Sequence, residues 1–243
     1  MTDAAIVVKF LNQTEGRDKF SKLMQNVAKM LAHVSTEKTT ADQMSNLAKN
    51  TADARKIFRL GKWLSEYVKL QEILKSTGNK NADSYALSVQ FASRLFFAGY
   101  WVYDNLVILR KIKVLQSGDL KSLSKRAAFF WTLGLLTGIL LELYKLQKNL
   151  EKEKVLLAQE REKSRAEGDG EQSPETASAR KSLASERFTI YINIAKNLGD
   201  LVTATNGIEL PHKIFGKGFS DGFVGLGGAV SAGLNCYQLF PKK

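Results

Sequence analysis

From Ala52 to Lys75 the chain reads ADARKIFRLGKWLSEYVKLQEILK, and its apolar positions recur at helical spacing. At about 100° per residue, Ile57, Leu60, Trp63, Leu64, Tyr67, Val68, Leu70 and Leu74 share one broad arc. Arg55, Arg59, Lys62 and Lys69 gather on the opposite face with only Glu66 among them, while Phe58 and Ile73 break the pattern. The segment predicts one amphipathic helix over about 52–75 whose apolar face enters the headgroup layer of an anionic membrane. Its membrane-binding residues are then Arg55, Lys56, Ile57, Arg59, Leu60, Lys62, Trp63, Leu64, Tyr67, Val68 and Lys69. A surface helix of a soluble bundle carries the same pattern, so the rest of the chain has to separate the two.

Other segments repeat the helical period. Between Ala4 and Val34, Ile6, Val7, Phe10, Leu11, Phe20, Leu23, Met24, Val27 and Leu31 are spaced for a helix that Gly16 interrupts or kinks. Ala127 to Tyr144 is apolar on all sides, with Glu142 as its single charge. Its length of about 27 Å as a helix approaches a hydrocarbon core of about 30 Å, and Lys125, Arg126 and Lys145 flank it as anchors. Gly222 to Phe240 has no charge and five glycines. In water such glycines weaken a helix, but in lipid small residues let helices approach closely. Gly134 and Gly138 in the first segment, and Gly222, Gly225, Ala229 and Gly233 in the second, are the candidate self-association residues. Ala86 to Leu109 is apolar but carries Arg94 and Asp104, which a spanning role tolerates only if they are paired or near the surface.

The pattern therefore predicts an all-α membrane protein with amphipathic N-terminal helices and two transmembrane helices joined by a disordered linker. A basic helical region covers 1–126, a span 127–144, and a charged helix with linker 145–187. A helix and connector cover 188–217, and a glycine-rich span with a basic tail 218–243. The linker assignment rests on AEGDGEQSPETASARKSLAS, rich in Gly, Ser and Glu, with Pro174. A helix over roughly Glu186 to Thr205 follows it.

Charge narrows the partners. With 36 basic and 24 acidic residues among 243, the chain carries +12. Residues 1–126 hold 21 basic and 11 acidic residues, whereas 145–217 hold 13 and 11. Such a balance selects an anionic partner, phospholipid or nucleic acid. Nucleic acid is not expected, because no helix-turn-helix spacing, zinc ligands or aromatic RNA-binding strand is present. The one cysteine, Cys236, forms no intrachain disulfide and fits a reducing compartment. No secretory leader or transit peptide is expected, since Asp3, Glu15 and Asp18 are too acidic for one.

Catalytic chemistry is not expected either. His33 and His212 have no cysteines at metal-ligand spacing, and Cys236 lies in an apolar segment without a motif. A phosphate loop is absent, and the carboxylates are scattered along polar faces. No enzyme activity, cofactor or metal follows from these residues.

Three blocks in order carry a resemblance over nearly the whole chain. KFLNQTEGRDKFSKLMQ stands at Lys9 to Gln25, ARKIFRLGKWL at Ala54 to Leu64, and the glycine-rich segment with its CYQL tail at Gly222 to Pro241. In these blocks the chain resembles the peroxin-11 family of peroxisomal membrane proteins, most closely its plant-type members. The resemblance implies an amphipathic helix inserted into one leaflet, self-association, and peroxisome elongation and proliferation before fission. It also implies fission adaptors and a dynamin-related GTPase as partners. An oligomeric pore or porter for small metabolites is the alternative it allows. Two spans and the basic excess of 1–126 place both termini in the cytosol by the positive-inside rule, with the loop between the spans in the peroxisomal lumen.

Overall fold

The computed structural model describes residues 3–79, 82–167 and 174–241. Among them the chain forms nine helices in order: α1 (Asp3–Asn12), α2 (Thr14–Val34), α3 (Lys38–Phe58), α4 (Trp63–Ser76), α5 (Ser84–Lys111), α6 (Leu120–Glu167), α7 (Pro174–Gly207), α8 (Leu210–Phe215) and α9 (Asp221–Leu239). The helix starts follow local chemistry. The Asp83 carboxylate accepts the Ala86 N–H at 3.0 Å, and the Ser220 hydroxyl accepts the Phe223 N–H at 3.2 Å. Each satisfies an N–H that a helix start leaves without a partner.

The bundle is built by α5 on α6, α6 on α7, α7 and α2 on α9, and α3 on α2, with α4 folded back on α5. An aromatic cluster welds α5 to α6: Tyr100 stacks on Trp131 with centroids 5.2 Å apart, and Tyr103 on Phe130 at 5.5 Å. α9 is seated by small residues. A methyl group on Gly225 would come within 2.9 Å of the Asn26 carbonyl oxygen and the Met30 nitrogen of α2. The two backbones are therefore in contact, and any side chain there forces them apart.

Several expectations change. The interruption near Gly16 is a full break at Gln13, and Gly16 sits in the first turn of α2 beneath the Phe10 carbonyl. The single amphipathic helix over 52–75 is two helices, because residues 59–62 turn between α3 and α4 with Gly61 at φ 79°. The left-handed backbone at Gly61 cannot continue a helix. The expected disordered linker is helical wherever it is described: α6 runs unbroken from the apolar segment to Glu167, and α7 begins at Pro174. Proline suits a first helical turn, where its missing N–H has no bond to make. Residues 168–173 and the last two lysines of the basic tail lie outside the described residues.

Only one described helix is long and apolar enough to cross a membrane, and it is α6. A third of its apolar window is buried, and Phe129, Leu136, Leu140 and Leu143 along it are exposed. Gly222 to Phe240 does form a helix, but its five glycines with Asn235 and Gln238 dilute its hydrophobicity below that of a span. The expectation of two spans, and of both termini in the cytosol that rested on it, loses its second crossing.

The α2–α9 contact separates two glycines that the sequence treats alike. Gly225→Leu is expected to lower the thermal unfolding midpoint in neutral detergent by several degrees, through overpacking of about 1–3 kcal/mol. Gly233 has open space beside it, so Gly233→Leu is expected to leave the midpoint unchanged. Equal midpoints for both variants would contradict the packing.

Candidate membrane interface

The surface around α3 and α4 inverts the usual arrangement. Apolar side chains of the predicted amphipathic segment face out: Phe58 is 78% exposed, and Leu64, Tyr67 and Val68 are each just over half exposed. Ile57, Leu60, Trp63 and Leu74 are exposed with them. The cations face in. Arg55 is buried, and the Arg59 and Lys62 side chains are mostly covered. The predicted polarity of the helix is thus present, but its charged side is the one that packs.

Each inward cation meets a carboxylate on another helix. Arg55 donates from Nε to Asp18 Oδ1 on α2 at 3.0 Å and from Nη1 to Gln25 Oε1 at 2.6 Å. Lys56 and Arg59 share Asp104 of α5, at 3.0 Å and 3.2 Å. Lys62 reaches Glu15 at 2.5 Å. Glu66, buried, takes Lys69 at 2.9 Å and Arg94 at 3.4 Å. Arg94 and Asp104, the two charges that made α5 costly as an apolar helix, are both paired. The Trp101 ring lies beneath Arg59 and Lys62, 5.2 and 4.8 Å from its centroid. Such contacts favour a cation that is already partly desolvated.

The turn between α3 and α4 is held by Asn105. Its Oδ1 accepts the Gly61 N–H at 3.0 Å and its Nδ2 donates to the Arg59 carbonyl at 3.2 Å. Two bonds from one side chain fix the direction in which α4 leaves. Asn105, Asp18 and Asp104 organise this surface, yet they were not among the predicted site residues. A signal did exist for one of them, since a carboxylate inside an otherwise apolar helix implies a partner. Arg55, Arg59, Lys62 and Lys69 each form an ion pair within the chain, with Lys69 still partly exposed.

The candidate self-association residues are mostly used within the chain. Gly134 lies under the Phe97 ring and Gly138 beside Asn197. Gly222 abuts His33, and Gly225 abuts α2 as described. Ala229 is half-buried, and Gly233 alone of these candidate glycines has nothing within 4 Å. Gly225 brings two helix backbones of the same chain together, while Gly134, Gly138 and Gly222 face side chains of neighbouring helices. Gly233 instead shares an outward stripe with Leu226, Val230 and Tyr237, all exposed. Among the described residues no group of three His, Cys, Asp or Glu side chains could hold a metal ion.

The electrostatics of the Asp18 pair have a measurable consequence. Burial pushes the Asp18 carboxyl up, but the charges of Arg55, Lys19 and Arg59 outweigh it and hold it at about 2, below its ordinary 3.8. The gain is not free, because burial and the neighbouring Arg59 pull the Arg55 guanidinium down. A carboxyl depressed on folding stabilises the fold fully above its unfolded value and loses that contribution as pH falls through its folded value. Asp18 is therefore expected to contribute about 2 kcal/mol above pH 4 that disappears between pH 4 and pH 2. Denaturant unfolding in neutral detergent checks it: the acid limb of the wild type should flatten in Asp18→Asn. An equally steep limb in the variant would remove Asp18 from the account.

Sequence comparison covers the chain almost from end to end. The profile described as Peroxisomal biogenesis factor 11 matches residues 4–240. A Dictyostelium discoideum protein, "Peroxisomal membrane protein 11 homolog", is 31% identical over 97% of this chain and 94% of its own length. "Peroxisomal biogenesis factor 11" of Schizosaccharomyces pombe is 24% identical over 96% and 92%. "Peroxisomal membrane protein 11-4" of Oryza sativa subsp. japonica is 27% identical over 97% and 96%. No solved structure matches the chain. On the strength of a match across nearly all its residues, the chain belongs to the Peroxisomal biogenesis factor 11 family.

Proposed function

We propose that this is a peroxisomal membrane protein that inserts the apolar face of the α3–α4 region into the cytosolic leaflet, self-associates, and so elongates the organelle before fission. The observation that carries the reading is the inverted surface: Phe58, Leu64, Tyr67 and Val68 point away from the bundle while the cations beside them point inward. A protein in water gains nothing from that arrangement, whereas one in lipid gains the transfer of each apolar side chain. The membrane location draws its support from the names of the relatives and from α6, the one described helix fit to span.

Length supplies the asymmetry. α4 has 14 residues and extends about 21 Å, too short to cross a core of about 30 Å. Its apolar face adds cross-section to one leaflet only, and an expanded leaflet curves toward its own side. Full burial of an apolar side chain is worth about 1.5–3 kcal/mol, and these four are roughly half free. Together they supply about 4 kcal/mol, close to a thousandfold in partitioning. In this scheme a second copy docks on the outward α9 stripe around Gly233, which concentrates the wedges. Fission adaptors and a dynamin-related GTPase act on the tubule that results.

Two sets of variants test the scheme with the full chain and liposomes. Leu64→Gln, Tyr67→Gln and Val68→Gln together should abolish tubulation while leaving the helical content and unfolding midpoint as in the wild type. Tubulation by that variant at the wild-type level would rule out the wedge. Arg55→Glu should instead destabilise the fold by about 3–5 kcal/mol, because it strands Asp18 beside a like charge. Solute flux through vesicles that stay round would favour the pore alternative.

A further inference from the structure

The bundle encloses a cavity of about 390 Å³ between α2, α3, α5, α6, α7 and α9. Six cations line it: Lys19, Lys22, Arg55, Lys56, Arg59 and Lys196. The lining carboxylates are two, Asp104 and Asp200, and Asp18 stands behind Arg55 as a third. The balance inside is an excess of three positive charges.

The pairings locate that excess. Asp200 takes Lys22 at 2.5 Å, and Ser231 Oγ accepts a second bond from Lys22 at 3.0 Å. Asp104 is shared by Lys56 and Arg59, and Asp18 is engaged by Arg55. Lys19 pairs loosely with Asp18 at 3.5 Å and Glu15 at 3.7 Å, carboxylates that Arg55 and Lys62 already engage more closely. Lys196 donates to the neutral amide oxygen of Gln238. Burial, then the charge of Lys19, pulls Lys196 down, and burial holds Lys22 at about 8 despite Asp200. Retaining uncompensated cations in a walled space costs the fold stability. That cost is recovered when an anion of two or three charges enters.

Aromatic rings line the same space. Tyr100 and Trp131, stacked on each other, face the same cavity together with Phe97. A cationic wall and an aromatic wall around one space select an anion attached to an organic body. Arginine and lysine together are the usual partners of phosphate oxygens. A single carboxylate would leave most of the excess unbalanced, whereas a phosphate monoester dianion offsets two of the three charges.

We infer that the cavity between α2, α3 and α7 on one side and α5 and α6 on the other binds a phosphate monoester, its phosphate held by Lys19, Lys22 and Lys196 and its organic part against Tyr100 and Trp131. The phosphate belongs either to a lipid headgroup or to a free phosphorylated molecule. The inference does not depend on membrane bending, because the site uses none of the exposed residues of α4.

Calorimetric titration of inorganic pyrophosphate into the full chain in phosphatidylcholine nanodiscs tests it. The wild type should bind, with saturating pyrophosphate raising its unfolding midpoint. Lys196→Gln removes a cation bonded to a neutral amide, and Lys19→Gln leaves Asp18 paired with Arg55 and Glu15 with Lys62, so neither strands a buried acid. Each should weaken binding about tenfold, the loss of one charge-assisted bond. Lys154→Gln, on the exposed part of α6, should bind as the wild type does. A second set of nanodiscs containing a minor share of phosphatidylinositol 4-phosphate separates the sources. Weaker pyrophosphate binding there identifies the headgroup as the occupant, and unchanged binding identifies a free phosphate ester. No binding by the wild type, or equal binding by the wild type and both cavity variants, would overturn the inference.

Discussion

The contact on which the rest of this structure depends is the pairing of Arg55 with Asp18 across α2 and α3. An arginine so deeply buried must be compensated in place, since an uncompensated charge in such a position costs several kcal/mol. Asp18 and Gln25 both answer it, and both lie on α2. That pins α3 against α2 at its C-terminal end. Four residues on, Arg59 is committed to Asp104 of α5. α3 is thereby fixed to two helices at once, and α4 has one direction in which to leave. The outward display of Phe58, Leu64 and Tyr67 follows from where the charges have to go, rather than from any attraction of those side chains to one another.

Seen this way, the polar residues specify the fold and the apolar ones specify its surroundings. Asn105 determines the turn, and Ser231 and Asn26 sit buried on α9 and α2. Exposed apolar side chains recur on other helices too: Phe129, Leu136, Leu140 and Leu143 form one stripe along α6. A core of this kind depends on geometry, because each buried charge tolerates only the partner it has. It is correspondingly intolerant of charge reversal and tolerant of apolar exchange on the outside.

Much of this was legible in the sequence, and the failures have physical reasons. Helical periodicity gave the all-α class, the packed helix at Ala86 to Leu109 and the apolar segment of α6. The apolar and charged faces of 52–75 are both present, but the charged one packs against other helices of the chain. Periodicity reports that two faces differ, not which of them packs, and the tertiary partners Asp18, Glu15 and Asp104 come from distant segments. Gly61, where the helix breaks, lies inside a pattern of apolar and basic positions that continues across it. The helical start of α7 was hidden because Ser, Glu and Gly composition resembles a linker, while the pairing of Arg187 with Asn149 and Glu153 that stabilises it spans more than thirty residues. The glycines of α9 were recognised as contact residues, yet spacing alone cannot tell a neighbour in the same chain from one in another.

α6 does not stop where the bundle does. At Tyr144, which hydrogen-bonds Asp83, α5 begins, and beyond that level α6 continues to Glu167 beside α7. Twenty-three residues of helix extend about 35 Å, clamped near the base by Asn149, which bonds the Leu183 carbonyl and Glu186. The Debye length at physiological salt is about 8 Å. Over the length of the helix, the charges of this helix pair are screened from those of the bundle beyond its base. Its described lysines and glutamates are nearly balanced. The pair is electrically separate from the bundle and joined to it through the clamp at Asn149.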